Sequence, residues 1–204
     1  MVEVLFSFSI ATVLLALSPG PDNIYVLTQS LAHGSRSGIA TVAGLISGCI
    51  VHTALLAFGV SALLTASPNL FLVIKVIGAG YLVYLAYSVF MADASINLNS
   101  EASHKKSNWQ YFKIGVFMNL VNPKVMLFFI AFFPAFLWNP SEGTVLQFFI
   151  LGGVFMMVSF VVFSCIALLA GSISSYLRSN NQVGLVLKWL QIVVFVGIAI
   201  FIFL

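Results

Sequence analysis

Ser18-Pro19-Gly20-Pro21-Asp22-Asn23 lies inside an apolar run that begins near Leu5 and resumes through Ile24, Tyr25, Val26 and Leu27. Two prolines around a glycine break a helix, because each proline lacks a backbone donor and its ring clashes with the preceding turn. In a bilayer, an opened backbone beside a carboxylate is costly unless protein or water faces it. The stretch therefore reads as a broken membrane helix, its first half ending near Leu17 and its second starting after Pro21. Pro21 suits the first turn of that second half, where its missing N–H has no partner in any case. The half-helix then turns its N–H groups and positive dipole end into the membrane, ready for a carboxylate. Broken helices of this kind mark substrate sites in secondary transporters.

The composition around this stretch supports a membrane setting. Of 204 residues, 61% are hydrophobic and 6% charged, and the mean hydropathy is +1.13. Soluble domains are about one quarter charged, so a soluble globular domain is excluded and the long apolar runs specify a polytopic membrane protein. The formal net charge of +3 comes from few residues, mostly in links. It fits membrane orientation rather than nucleic-acid binding. Cys49 and Cys165 sit in apolar runs without His or Cys at ligand spacing, so both read as packing residues, and no metal or cofactor is expected. Glu3 precedes the first apolar run and no Lys or Arg does, so that run lacks the basic flank of a cleavable signal and is expected to be retained.

Six spans near the required ~20 residues follow from the apolar runs. They cover about Val4–Leu31, Ile39–Leu64, Leu70–Met91, Tyr111–Leu137, Val145–Ala170 and Val183–Leu204. The links are His33-Gly34-Ser35-Arg36-Ser37, a Ser67-Pro68-Asn69 turn, a hydrophilic segment Asp93–Gln110, a turn Trp138–Gly143 and a Ser/Asn-rich stretch with Arg178. Arg36, Lys105, Lys106, Lys113, Arg178 and Lys188 all lie in or beside the links after spans one, three and five. The positive-inside rule puts those links in the cytoplasm and both termini outside.

The interruptions recur. Span four, first of the second half, breaks at Asn122-Pro123-Lys124 as span one breaks at Pro19-Gly20-Pro21-Asp22. Two three-helix halves insert in opposite orientation, and matching breaks point to a midplane site between inverted repeats. The expectation is a single transmembrane domain over 1–204, with halves of about 1–92 and 111–204 and a cytoplasmic loop of about 93–110. The simpler reading of Pro123 is an ordinary proline kink.

Ser18-Pro19-Gly20-Pro21-Asp22, His33-Gly34-Ser35-Arg36-Ser37-Gly38 with Gly44 and Gly48, Lys75–Leu82, Asn119-Leu120-Val121-Asn122-Pro123-Lys124 and Phe132-Phe133-Pro134 occur in this order. In these motifs the chain resembles the LysE/RhtB family of bacterial amino-acid exporters along nearly its whole length. The resemblance implies six membrane helices, export of small amino acids or derivatives, and energisation by the proton gradient. One departure is Ser159 in the fifth span, where some relatives carry an acid.

Asp22 is the leading candidate for binding the substrate ammonium, for proton exchange, or for both; an acidic residue in a first helical turn also complements the dipole. The N–H groups of the half-helix, Asn23 included, remain for the substrate carboxylate. Lys124 pairs with Asp22 or with that carboxylate, or snorkels. Asn119 and Asn122 bond across helices or to a ligand, with Asn122 well placed at the open backbone. His52 shares a face with Gly44 and Gly48, a small-residue ridge for helix packing; it is a structural histidine or a proton-coupling group. Tyr81, Tyr84 and Tyr87 read as packing and interfacial anchors, with Tyr81 the one to test as a ligand.

The whole is an all-α polytopic inner-membrane protein, helices one and four broken. Its expected work is efflux of a small neutral or hydroxylated amino acid, such as homoserine or threonine, by proton antiport. A homodimer is possible if the glycine face is exposed. A metal-cation exporter would need several membrane-embedded carboxylate, Cys or His ligands, and only Asp22 and His52 qualify. An intramembrane hydrolase lacks any Gly-x-Ser-x-Gly setting, and a purely structural protein has no use for two polar breaks. The topology is directly testable. With Cys49 and Cys165 replaced by alanine, a membrane-impermeant maleimide should label Ser141→Cys in intact cells and Ser35→Cys only after the membrane is opened.

Overall fold

Proline and glycine set the helix ends. The computed structural model describes residues 1–18, 20–66, 68–93, 104–179 and 182–203, and among these the chain is helical with no strand. Pro19, Ser67 and residues 94–103 of the hydrophilic segment lie outside the described residues, as do 180, 181 and 204 and the side chains of Pro123, Lys124 and Arg178. Helices α1 (Val2–Leu17) and α2 (Pro21–His33) meet at 61°. Then α3 (Ser35–Leu55) passes through a π turn, Leu56–Val60, into α4 (Ser61–Ala66). After α5 (Pro68–Met91) comes α6 (Asn108–Val121), which bends by 57° into α7 (Pro123–Phe132) and the 3₁₀ turn Phe133–Phe136. Helices α8 (Thr144–Leu168), α9 (Ala170–Ser179) and α10 (Gln182–Phe201) complete the chain.

Among the described residues, Ser35–Leu63, α8 and α10 are each long and apolar enough to cross a bilayer, and the bent pairs raise that number to five. Helix α5, of 24 residues, occupies the remaining expected span. Large apolar side chains such as Phe6, Phe117, Leu146 and Val186 point outward, a surface suited to hydrocarbon rather than water. The protein is an all-α polytopic membrane protein.

Several links are shorter than their composition implies. His33–Ser37 is not a loop: Gly34 alone turns the chain at φ 91°, and Ser35–Ser37 start α3. That φ favours glycine, which has no Cβ to clash. Asn108–Gln110 belong to α6 rather than to the hydrophilic segment, because Ser107 and Gln110 form a reciprocal capping box. Pro68 opens α5 instead of lying in a turn. The Ser-rich stretch after α8 is itself helical up to Ser179. Lys188 on α10 donates to the Ala92 carbonyl beyond the end of α5 at 2.6 Å, tying the two helices at that end.

Two features fix the bundle. Along the first, α3 and α6 approach until backbone meets backbone: a Cβ on Gly44 would strike the Phe112 carbonyl, and one on Gly115 the Thr41 carbonyl. A Cβ on Gly48 would strike the Asn119 side chain, so the small-residue ridge is consumed inside the molecule. The second is aromatic. Phe129 and Phe133 stack at 4.3 Å and Phe128 and Phe132 at 4.6 Å, while Phe8 of α1 packs on Phe132 at 5.2 Å. A smaller cluster of Val26, Val42, Leu45 and Ala167 joins α2, α3 and α8. Gly115→Ala is expected to cost about 1–3 kcal/mol through overpacking, read as a lower melting temperature in detergent. Gly153→Ala, with open space around the added methyl, should leave it unchanged.

Candidate functional site

At both breaks a side chain reaches a carbonyl near the interruption. In α6 the carbonyl of Asn119 should accept from residue 123, which is proline and has no N–H. That oxygen instead takes the Asn122 N–H at 3.2 Å in a tighter turn, and Nε2 of His52 on α3 lies 3.2 Å from it as well. A carbonyl only accepts, so Nε2 is the donor in this contact. Nδ1 is buried with no partner among the described residues. In the first break the side chain of Asn23 reaches back from α2 and donates to the Ala16 carbonyl at 2.7 Å. Asn119 is 3% exposed, and its Nδ2 contacts Cys49 Sγ at 3.5 Å.

The breaks meet each other. Nδ2 of Asn122 faces Oδ2 of Asp22 at 3.5 Å, joining residues 100 apart in sequence. Beside this contact lies a cavity of about 90 Å³, room for a few water-sized groups or one small solute. The break residues Ser18, Gly20, Pro21, Asp22, Asn23 and Asn122 form one part of its wall. Leu45, Ile46 and Cys49 of α3, Leu85 of α5, and Phe128, Phe155, Phe163 and Phe195 form most of the apolar wall, into which Asn119 and Ser159 also bring polar groups. The cavity therefore sits between the two hydrophobic clusters, with members of both in its wall. Its polar end combines a carboxylate, carboxamides and the N-terminus of a 13-residue helix. That combination can hold an ammonium and a carboxylate together.

Asp22, Asn23, Asn122, Gly20 and Pro21 are thus brought together. Lys124 and Pro19 fall outside the described side chains. Tyr81 does not line the cavity; it leans on Tyr84 at 6.1 Å, and α5 contributes Leu85 instead. His52 stands behind the wall, its ring 5.7 Å from that of Phe129. Asn23 spends its amide on the backbone of α1 and holds the break in shape. Among the described residues no group of three or more His, Cys, Asp or Glu side chains comes together.

Sequence reasoning missed His52's partner; the proline four residues after Asn119 marked that carbonyl as one to follow, and both the Asn122 N–H and His52 reach it. It also missed the aromatic wall and the cavity position of Cys49, which depend on helix rotation. Asn23→Ala should lower stability by about 1–3 kcal/mol, the cost of leaving the Ala16 carbonyl unpaired, and His52→Phe by about 0.5–1.5 kcal/mol, the net worth of one hydrogen bond to a carbonyl that keeps the Asn122 N–H. His52→Phe retains a ring against Phe129, so its melting temperature in detergent isolates the hydrogen bond.

Comparison with known proteins gives one family. The sequence profile of the LysE type translocator family matches residues 13–204. The homoserine/homoserine lactone efflux protein of Salmonella typhimurium (strain LT2) is 34% identical over 177 residues, covering 87% of this chain and 85% of that protein. The protein of the same description from Salmonella typhi is also 34% identical over 177 residues. No solved structure matches the chain. With nearly its whole length matched and an all-α membrane fold built on two broken helices, the chain belongs to the LysE type translocator family.

Proposed function

We propose that this translocator exports small neutral or hydroxylated amino acids across the bacterial inner membrane by exchange with protons. The observation that carries the reading is the cavity at the meeting of the two breaks, with Asp22 and Asn122 in its wall. The relatives named for homoserine and its lactone support the substrate class. In this reading the substrate ammonium sits on the Asp22 carboxylate, and the substrate carboxylate takes the N–H groups at the start of α2. A proton and an ammonium compete for the same carboxylate, which is the simplest form of antiport. Lys124 assists at the second break, and His52 is the other group able to take a proton, at Nδ1.

Alternating access follows from two inverted halves, 1–92 and 111–204, rocking around the breaks. Part of the packing follows that pseudo-symmetry: α3 contacts α6 as α8 contacts α1, and α2 contacts α8 as α7 contacts α3, whereas the α2–α3 and α5–α7 interfaces have no comparable counterpart in the other half among the described residues. The basic links face the cytoplasm and both termini the outside.

The test is transport by purified protein in proteoliposomes loaded with labelled amino acids, with and without a proton gradient. Gradient-driven efflux of small neutral amino acids is expected, and Asp22→Asn should reduce it at least a hundredfold with insertion unchanged. Normal transport by Asp22→Asn, or movement of no amino acid by the parent protein, would remove the reading.

A further inference from the structure

Hydroxyl groups in a membrane helix ordinarily bond to the carbonyl one turn back. This chain follows that habit closely. Ser9, Thr12, Ser30, Thr41, Ser47 and Ser88 each donate to the residue four before, at 2.7–3.0 Å. Ser159 does not. It is 1% exposed, and its Oγ has no hydrogen-bond partner among the described residues, although the Phe155 carbonyl lies one turn back. Ser18, at the end of α1 and 4% exposed, is in the same state. Both line the cavity. The Asn119 carboxamide oxygen in the same wall also lacks a partner but can only accept, whereas Thr53 and Ser164 lack partners without reaching the cavity, and Thr53 is wedged against Gly152.

A buried hydroxyl without a partner costs roughly 1–3 kcal/mol. At Ser159 the cost has a location. Phe155, Ser159 and Phe163 follow at i, i+4 and i+8 on one face of α8, so the hydroxyl is the one polar group between two aromatic side chains in that face of the wall. A charged group placed there would be stripped of water with no described counter-ion from α8. A neutral group that both donates and accepts would satisfy Ser159 outright.

We propose that Ser159, with Ser18 in the wall of the same cavity, reads the side chain of the transported amino acid and selects an uncharged polar group, a hydroxyl or carbonyl oxygen. The proposal rests on the exporter reading above and adds the residues that set its specificity. Asp22 and the α2 N-terminus hold the charged amino-acid end, while Ser159 holds the side-chain oxygen inside the aromatic wall. Purely aliphatic amino acids of the same size leave that hydroxyl unpaired and are disfavoured.

The experiment compares homoserine with 2-aminobutyrate, the same carbon skeleton without the hydroxyl, as competing substrates in proteoliposomes. The parent protein should favour homoserine by roughly five- to tenfold in kcat/KM, the worth of one neutral hydrogen bond. Ser159→Ala should bring that ratio close to one, and Ser18→Ala should reduce it partially. Ser159→Thr, which keeps the hydroxyl, should preserve the preference and so separates recognition from misfolding. A ratio untouched by Ser159→Ala, or lost equally in Ser159→Thr, overturns the assignment while leaving the exporter reading intact. If the parent protein moves neither compound, the exporter reading fails and takes this inference with it.

Discussion

The structure depends on closing two helix breaks, where backbone carbonyls leave the regular helical ladder and are met by side chains as well. In water such groups would be solvated at little cost; in hydrocarbon each must find a protein partner. Asn23 supplies one from the same broken span, and His52 supplies the other from a neighbouring helix. Because His52 comes from α3 and joins the Asn122 N–H at the same carbonyl, contact between α3 and α6 reinforces the break in span four. The glycines that let those two backbones touch are therefore part of the same device. Local chain chemistry at Pro123 and tertiary packing at Gly44, Gly48 and Gly115 are two halves of one requirement.

The cavity is a product of where the apolar mass is missing. A phenylalanine cluster built on α7, α1 and α8 fills one part of the bundle, and a small Val/Leu/Ala cluster fills another. Between them the broken backbones prevent side chains from interdigitating, and a space remains. Its wall is largely apolar, so the few polar atoms there act in a medium of low dielectric constant. In such a setting a carboxylate at one end and neutral hydroxyls elsewhere discriminate strongly between charged and uncharged parts of a solute.

Much of this was legible in the sequence, and the boundary of legibility has a physical origin. Covalent properties read straight through: Pro19, Pro21 and Pro123 lack N–H groups wherever they sit, so both breaks and the spans around them were apparent. Asp22 and Asn122 were recognisable as break residues, and Gly44 and Gly48 as a packing ridge. What did not read through was rotation. Whether Tyr81 or Leu85 enters the cavity depends on how α5 is turned about its axis, and the two are one helical turn apart. Links were overestimated because polar residues such as Ser35–Ser37 were counted as loop when a glycine beside them had already made the turn. Ser159 drew notice only as a departure from relatives; that its hydroxyl fails to bond back along its helix is a geometric fact no pattern of letters records.

Gly34 carries one last implication. It is the whole connection between α2 and α3, and the interrupted backbone at Ser18–Gly20 bounds α2 at the other end. Helix α2 is in this sense a lever with a swivel at each tip, about 20 Å long at 1.5 Å per residue. A tilt of roughly ten degrees about Gly34 would carry the Asp22 end through roughly 3 Å. That displacement matches the whole length of the contact between Asp22 and Asn122, 3.5 Å. Such a tilt would have to give up the Asn23 bond to Ala16 and reseat Val26 against α3 and α8, so parting the two breaks and repacking that small cluster are one event.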